Sequence, residues 1–352
     1  MRTDAQSGEL GNVHQQEVGS PPLADEHGLS TVVIREFKRW AVIGLFAVMI
    51  ALFSIAKPDV FPTWQNAKDI LDQTPITAMF AVAVTLAMLM GEFDISFPYV
   101  ADLVSAFVAF MMTVAIWTST IGIVATVLLA FVVAGIFGLL NGVLIARIRV
   151  PAFVTTLATG SIAAGLELMF QNLYPNGQQA ISSISLPSVF PRVGDSVVPG
   201  IGVNWTVVVA FVLCAVIWFV LRKTVSGRRV HAIGGNARAA VLAGVPVTRI
   251  RIWIFIVVAL IAALGGLITV SQVGFFNGTN AALLLPSYTA TFLGASVWGL
   301  RRFNVGGTVL AVLFLETMAN GLSIMNQPLW IVSVVSGVVL LVAVVMGRTR
   351  EA

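Results

Sequence analysis

The chain has 352 residues, of which 58% are hydrophobic and only 10% charged, with a formal charge of +4 and a pI near 9.6. A soluble domain carries about 25% charged residues, so this composition excludes an ordinary soluble enzyme or binding module. A basic pI in a soluble protein would point to nucleic acid. Here the Lys and Arg flank apolar runs, so membrane topology accounts for them and no nucleic-acid partner is expected.

The polar residues 1–33, with Asp4, Glu9, Glu17, Asp25, Glu26 and Pro21-Pro22, lack the basic start and small-residue cleavage site of a signal peptide. They read as a disordered cytoplasmic tail. Beyond them, no charged residue occurs between Asp102 and Arg147 or between Arg251 and Arg301, and only Glu316 interrupts Arg302 to Arg348. Each gap holds roughly two spans of about 20 residues, the length a helix needs to cross about 30 Å of hydrocarbon. Outer-membrane barrel strands alternate apolar and polar residues over about ten positions, and these runs do not. The expected fold is an all-α polytopic membrane protein.

Ten spans fit, at about 40–56, 75–91, 97–117, 121–146, 152–170, 205–221, 252–272, 286–300, 305–324 and 329–346. With both termini in the cytoplasm, all of the 20 basic residues except Lys57, Lys68 and Arg192 fall inside. A missed or extra span would scramble that separation. The longest outer connection, about 171–204, is rich in turn residues such as Pro175, Asn176, Gly177, Pro187 and Pro199. Trp117, Trp205, Trp298 and Trp330 sit at span ends, where amphipathic rings anchor at the headgroups.

Cys214 stands alone in an apolar run, and His14, His27 and His231 are scattered, so neither a disulfide nor a metal site is expected. There is no GxxxxGK[ST] phosphate loop, HExxH or GxSxG. No catalytic residue and no cofactor bound by this chain are expected; if ATP drives it, a partner subunit holds the nucleotide.

One inside connection, about 222–251, is punctuated: GRRVHAIGGNARAAVLAGVPVTRIRI. Asn236 is a favoured N-cap, Gly244 stands at the C′ position and Pro246 follows, giving start and stop signals for a helix of about seven residues. At 1.5 Å per residue that helix is about 10 Å long and cannot cross a membrane. Gly234-Gly235 and Gly244 are expected to let the chain turn into and out of it. Physically, the loop fits either lipid headgroups or a cytoplasmic protein partner.

Here a resemblance enters. GRRVHAIGGNARAAVLAGV is similar to the cytoplasmic loop of permease subunits from ribose/monosaccharide-type ABC importers, roughly GRxxxAxGGNxxAAxxxGI. Gly227, Arg228, Ala232, Gly234, Gly235, Asn236, Ala239, Ala240 and Gly244 match, and Val245 replaces Ile. GLLNGVLIARIRVPAFVTTLATGSI at 138–162 resembles that family's GLLNGxLxxxxxVPxFIxTLGT, and GTVLAVLFLETMANGL at 307–322 gives a third match. The resemblance implies an uptake system of two permease copies, identical or paralogous, ABC ATPase subunits below and an extracytoplasmic solute-binding protein. It implies that Gly234, Gly235, Asn236, Ala239, Ala240 and Gly244 form the ATPase-coupling helix, and it implies a bacterial inner-membrane location. The chain then divides into a cytoplasmic tail over 1–36, a transmembrane permease domain over 37–347 and a cytoplasmic end over 348–352.

The chain departs from the pattern at GEFDISFPYV, residues 91–100, where the family reads GGIDLSVGS. Asp94 and Ser96 are kept, Glu92 replaces Gly, and Phe97-Pro98 replaces Val-Gly. Pro98 suits the first turn of a helix capped by Ser96. This marks a divergent member, importing a sugar or sugar-like solute. Intramembrane acids are costly and point by default to a pathway. Asp102 and Glu92 fit interfacial or capping roles, and Glu167 lies near an outer span end. Glu316, near mid-span, fits a pathway or a structural hydrogen bond equally. Asn141 and Asn320 fit either interhelical bonding or substrate contact, and Gly138-xxx-Gly142 fits helix packing. A single-chain ion-coupled secondary transporter, with Glu316 or Asp102 as the coupling acid, is the alternative class.

Overall fold

The computed structural model describes residues 26–115, 117–173, 194, 196–274, 276, 278–297 and 302–348. In chain order the helices are α1 (Glu26–Ala56), α2 (Trp64–Met88), α3 (Phe97–Thr113), α4 (Thr120–Ala146), α5 (Ala152–Asn172), α6 (Trp205–Lys223), α7 (Val225–Gly235), α8 (Ala237–Leu242), α9 (Val247–Val273), α10 (Leu284–Ser296), α11 (Val305–Ile324) and α12 (Leu329–Arg348), with a 3-10 turn at Asn280–Leu283 before α10. A helix overlaps each of the ten stretches expected to span. Among the described residues, six (α2, α4, α5, α6, α9 and α11) are long and apolar enough to cross a membrane by length and composition. The chain is a polytopic helical membrane protein.

Three differences from the sequence expectation have physical reasons. Residues 26–36, expected in the disordered tail, are helical. Extending a helix outward from an apolar segment adds a hydrogen bond per residue without a new nucleus. Residues 225–235, expected as loop, form α7, whose cap is Thr224 accepting from the Gly227 amide at 3.3 Å. Thirdly, α10 has 13 residues, about 20 Å at 1.5 Å per residue, too short to cross alone. Residues 1–25, most of the outer connection (174–193 and 195), Trp298, Arg301 and Arg350 lie outside the described residues.

The core is α2. Its residues Ala78 to Leu89 are buried, because α6, α9, α10 and α11 pack around it. The flanking helices α4, α5 and α6 keep apolar faces outward, with Val132, Leu157 and Val216 exposed, as a bilayer requires. Backbones approach closely where side chains are absent. A Cβ on Gly138 or Gly142 would strike the α9 backbone at Phe255–Ile256 and at Ile252. That small-xxx-small stripe is a packing surface.

Two elements are discontinuous. The Phe97 ring at the start of α3 meets Phe80 with centroids 5.2 Å apart. Phe80 lies about two turns before the end of α2, so residues 89–96 run back along α2 without helix. The 3-10 turn before α10 likewise lies inside the bundle, against α3. Non-helical backbone at such depth needs protein partners for its polar groups.

Candidate functional site

Those partners form a buried polar network. Gly91, with φ of 75°, ends α2 in a left-handed turn, and the extended segment after it presents its amides sideways. Tyr288 of α10 straddles Asp94: the Asp94 amide donates to its hydroxyl at 3.0 Å, and that hydroxyl donates to the Asp94 carbonyl at 2.8 Å. The Ile95 amide donates to Thr156 of α5 at 3.1 Å. Asp94 Oδ1 accepts from the Ser96 amide and hydroxyl at 2.8 and 2.6 Å. Ser96 is the N-cap position of α3, with Pro98 in the first turn, as expected. The capping oxygen nevertheless belongs to Asp94, and the Ser96 hydroxyl turns to α4, accepting from Asn141 Nδ2 at 2.8 Å. Asn141 Oδ1 then accepts from Thr159 of α5 at 2.7 Å. Asn141 is thus an interhelical bridge, tying α3, α4 and α5 together.

A second network holds the other discontinuity. Asp102 is 1% exposed and accepts from Asn280 N, Asn280 Nδ2 and Ala281 N at 3.0, 2.9 and 2.8 Å. It therefore caps the 3-10 turn leading into α10. Asn280 Oδ1 accepts from Thr269 of α9 at 2.8 Å. Glu167 accepts from Gln171 at 2.9 Å, one turn along α5. Glu316 on α11 accepts from Thr77 of α2, and Asn320, one turn further on, is buried with its Oδ1 unpartnered. Of the three residues read as pathway candidates, Glu316 and Asn320 share a face of α11, while Asn141 sits apart in the first network.

The punctuated loop has its own geometry. Asn236 caps α8, its Oδ1 accepting from the Ala239 amide at 3.0 Å. The helix ends at Leu242; Gly244 follows in the left-handed region, with φ of 78°, and the Val245 amide returns to the Ala240 carbonyl at 3.0 Å. Gly234 and Gly235 do not make the turn ascribed to them. They are the last residues of α7, and the chain bends instead at Asn236, with φ of −158°. Gly234 is needed for close approach, since a Cβ there would collide with the Leu89 carbonyl of α2; around Gly235 there is open space. Ala240 is 4% exposed and faces the bundle, while Val241 and Leu242 are 57% and 90% exposed. Ala239 and Gly244 are exposed beside them. The result is a rigid, capped projection with an apolar tip.

The family model for the permease component of branched-chain amino acid transport systems matches residues 66–344. The chain belongs to this family of transport permeases. This permease is similar to a ribose import permease protein of Bacillus subtilis, 32% identical over 88% of this chain and 92% of the relative. It is also similar to an L-arabinose ABC transporter permease protein of Azospirillum brasilense, 31% identical over 89% and 88%. An autoinducer 2 import system permease protein of an Enterobacter strain is 29% identical over 89% and 86%. No solved structure matches the chain. The permease is thus a divergent member of the ribose/monosaccharide ABC type.

Sequence reading missed Tyr288, Asn280 and the Arg251–Glu92 ion pair, whose Nη2 and Oε1 lie 3.2 Å apart. One signal was available for the first two. The polar run GTN at 278–280 precedes an apolar stretch too short to span, the mark of a discontinuous helix in a permease.

Proposed function

We propose that this permease is the membrane-spanning subunit of a bacterial inner-membrane ABC importer for a sugar or sugar-like polar solute, crossing the membrane ten times with both termini in the cytoplasm. Two permease copies form the pathway. Separate ATPase subunits bind and hydrolyse ATP, and an extracytoplasmic solute-binding protein delivers the substrate. Substrate moves by alternating access of the two copies, with no covalent chemistry in this chain.

The observation that carries the coupling reading is α8. A helix capped at both ends, seated on the bundle through Ala240 and offering Val241 and Leu242 to solvent, is shaped to enter a groove of another protein. The names of the relatives, which carry ribose, arabinose and autoinducer 2, support a polyol-like solute. The polar face formed by Glu316 and Asn320 on α11 is the stretch we assign to the pathway.

Docking is tested by co-purification of the ATPase encoded with the permease. Leu242→Glu places a charge on the exposed tip without touching the bundle. It is expected to reduce ATPase retention at least tenfold, the equivalent of about 1.4 kcal/mol, while the thermal unfolding of the permease stays unchanged. Full retention by Leu242→Glu would remove α8 as the docking element.

A further inference from the structure

Between α8 and the buried network lies one ion pair. Arg251 sits one turn into α9, and α9 follows α8 after only the turn at Ala243–Pro246. Its Nη2 lies 3.2 Å from Glu92 Oε1, with the two side chains 26% and 15% exposed. Glu92 stands in the non-helical segment, two residues before Asp94, and its amide donates to the Ala87 carbonyl at 3.1 Å. Arg251 Nε is buried without a partner, so the guanidinium is held to the bundle chiefly through this carboxylate.

A second contact lies on the other side of α8, where Gly234, at the end of α7, abuts the Leu89 carbonyl just after α2. On the far side of Glu92, the backbone of residues 94–95 is bonded to α10 and α5 through Tyr288 and Thr156. A displacement of α8 therefore reaches the 91–96 segment along two short routes, one steric and one ionic.

We propose that the Glu92–Arg251 pair is a clasp that locks the α8–α9 corner to the α2–α3 connection, so that the two move and open as one unit. Glu92 and Arg251 are positioning residues. They carry the position of the docking helix to the buried network. The assignment of a role in transport rests on α8 being the docking helix; the clasp itself does not. Separation of a partly buried pair by removing one partner leaves an uncompensated charge, which destabilises the contact far more than exchanging both charges does.

The test is hydrogen–deuterium exchange on the purified full-length permease in nanodiscs, without ATPase. Peptides covering 89–96 and 236–251 are followed in wild type, Glu92→Gln, Arg251→Gln, Arg251→Lys and the reversal Glu92→Arg with Arg251→Glu. Each Gln variant is expected to raise exchange about tenfold in both segments, including the one it does not alter, by raising the population of a local opening. Arg251→Lys and the double reversal are expected to return both segments toward wild type. A change confined to the substituted segment, or a reversal no better than the single variants, would overturn the clasp. Because the ATPase is absent, this result is independent of the co-purification that tests docking.

Discussion

At the level of single residues, the adjacent glycines at the end of α7 make opposite demands. A methyl at Gly234 lands on the Leu89 carbonyl, whereas one at Gly235 meets nothing within 4 Å, and neither residue has positive φ. Gly234→Ala is therefore expected to lower stability by about 1–3 kcal/mol through overpacking. Gly235→Ala, in a helix and unobstructed, is expected to raise it by about 0.5–1 kcal/mol. Thermal unfolding of the two variants in nanodiscs reads the difference; equal shifts would mean that α7 is not seated on α2. The pair also shows what sequence could reach. Asn236 and Gly244 were legible as cap and stop because those roles depend on residues within one turn. The reason for Gly234 was not, because its partner is Leu89 on another helix. Asn141 is the same case, since the partners it bridges, Ser96 and Thr159, lie on two other helices.

At the level of elements, long apolar helices were legible from charge-free runs, and the discontinuous ones were not. An apolar stretch reads alike whether it crosses the bilayer or begins halfway, and only the partners of the freed backbone groups distinguish the two. Tyr288 is the partner that holds residue 94 from both its amide and its carbonyl. Tyr288→Phe removes that hydroxyl, leaving a buried donor and acceptor unsatisfied, at about 1–3 kcal/mol each before relaxation. The expected outcome is a lower unfolding temperature and faster hydrogen exchange across 93–96. Unchanged exchange there would show that the segment is held by α5 alone. In the same way Asp102, read as a possible coupling acid of an ion-driven transporter, has its oxygens occupied by the backbone and amide of the α10 start. This weakens the ion-gradient alternative at that position.

For the whole molecule, the account requires α8 and the Val197–Asn204 turn to lie on opposite sides of the membrane. In a Cys214→Ala background, which removes the single native cysteine, Leu242→Cys should react with a membrane-impermeant maleimide only from the cytoplasmic face. Val197→Cys, 51% exposed in the wild-type residue, should react only from outside. Labelling of both from one side would break the ten-span arrangement, because an odd number of crossings must separate them. The expectation rests on the charge separation in the sequence, since Lys and Arg sort by side wherever the loops are short.

The central claim is that this permease imports solute only when a separate ATPase works on it through α8. Its most direct test is uptake into proteoliposomes by wild-type permease with and without the co-encoded ATPase, ATP and solute-binding protein, supplied with labelled ribose, arabinose and autoinducer 2 in turn. The account predicts accumulation of at least one such solute that needs the ATPase and ATP and is abolished by Leu242→Glu. Accumulation by the permease alone under a proton or sodium gradient would contradict it.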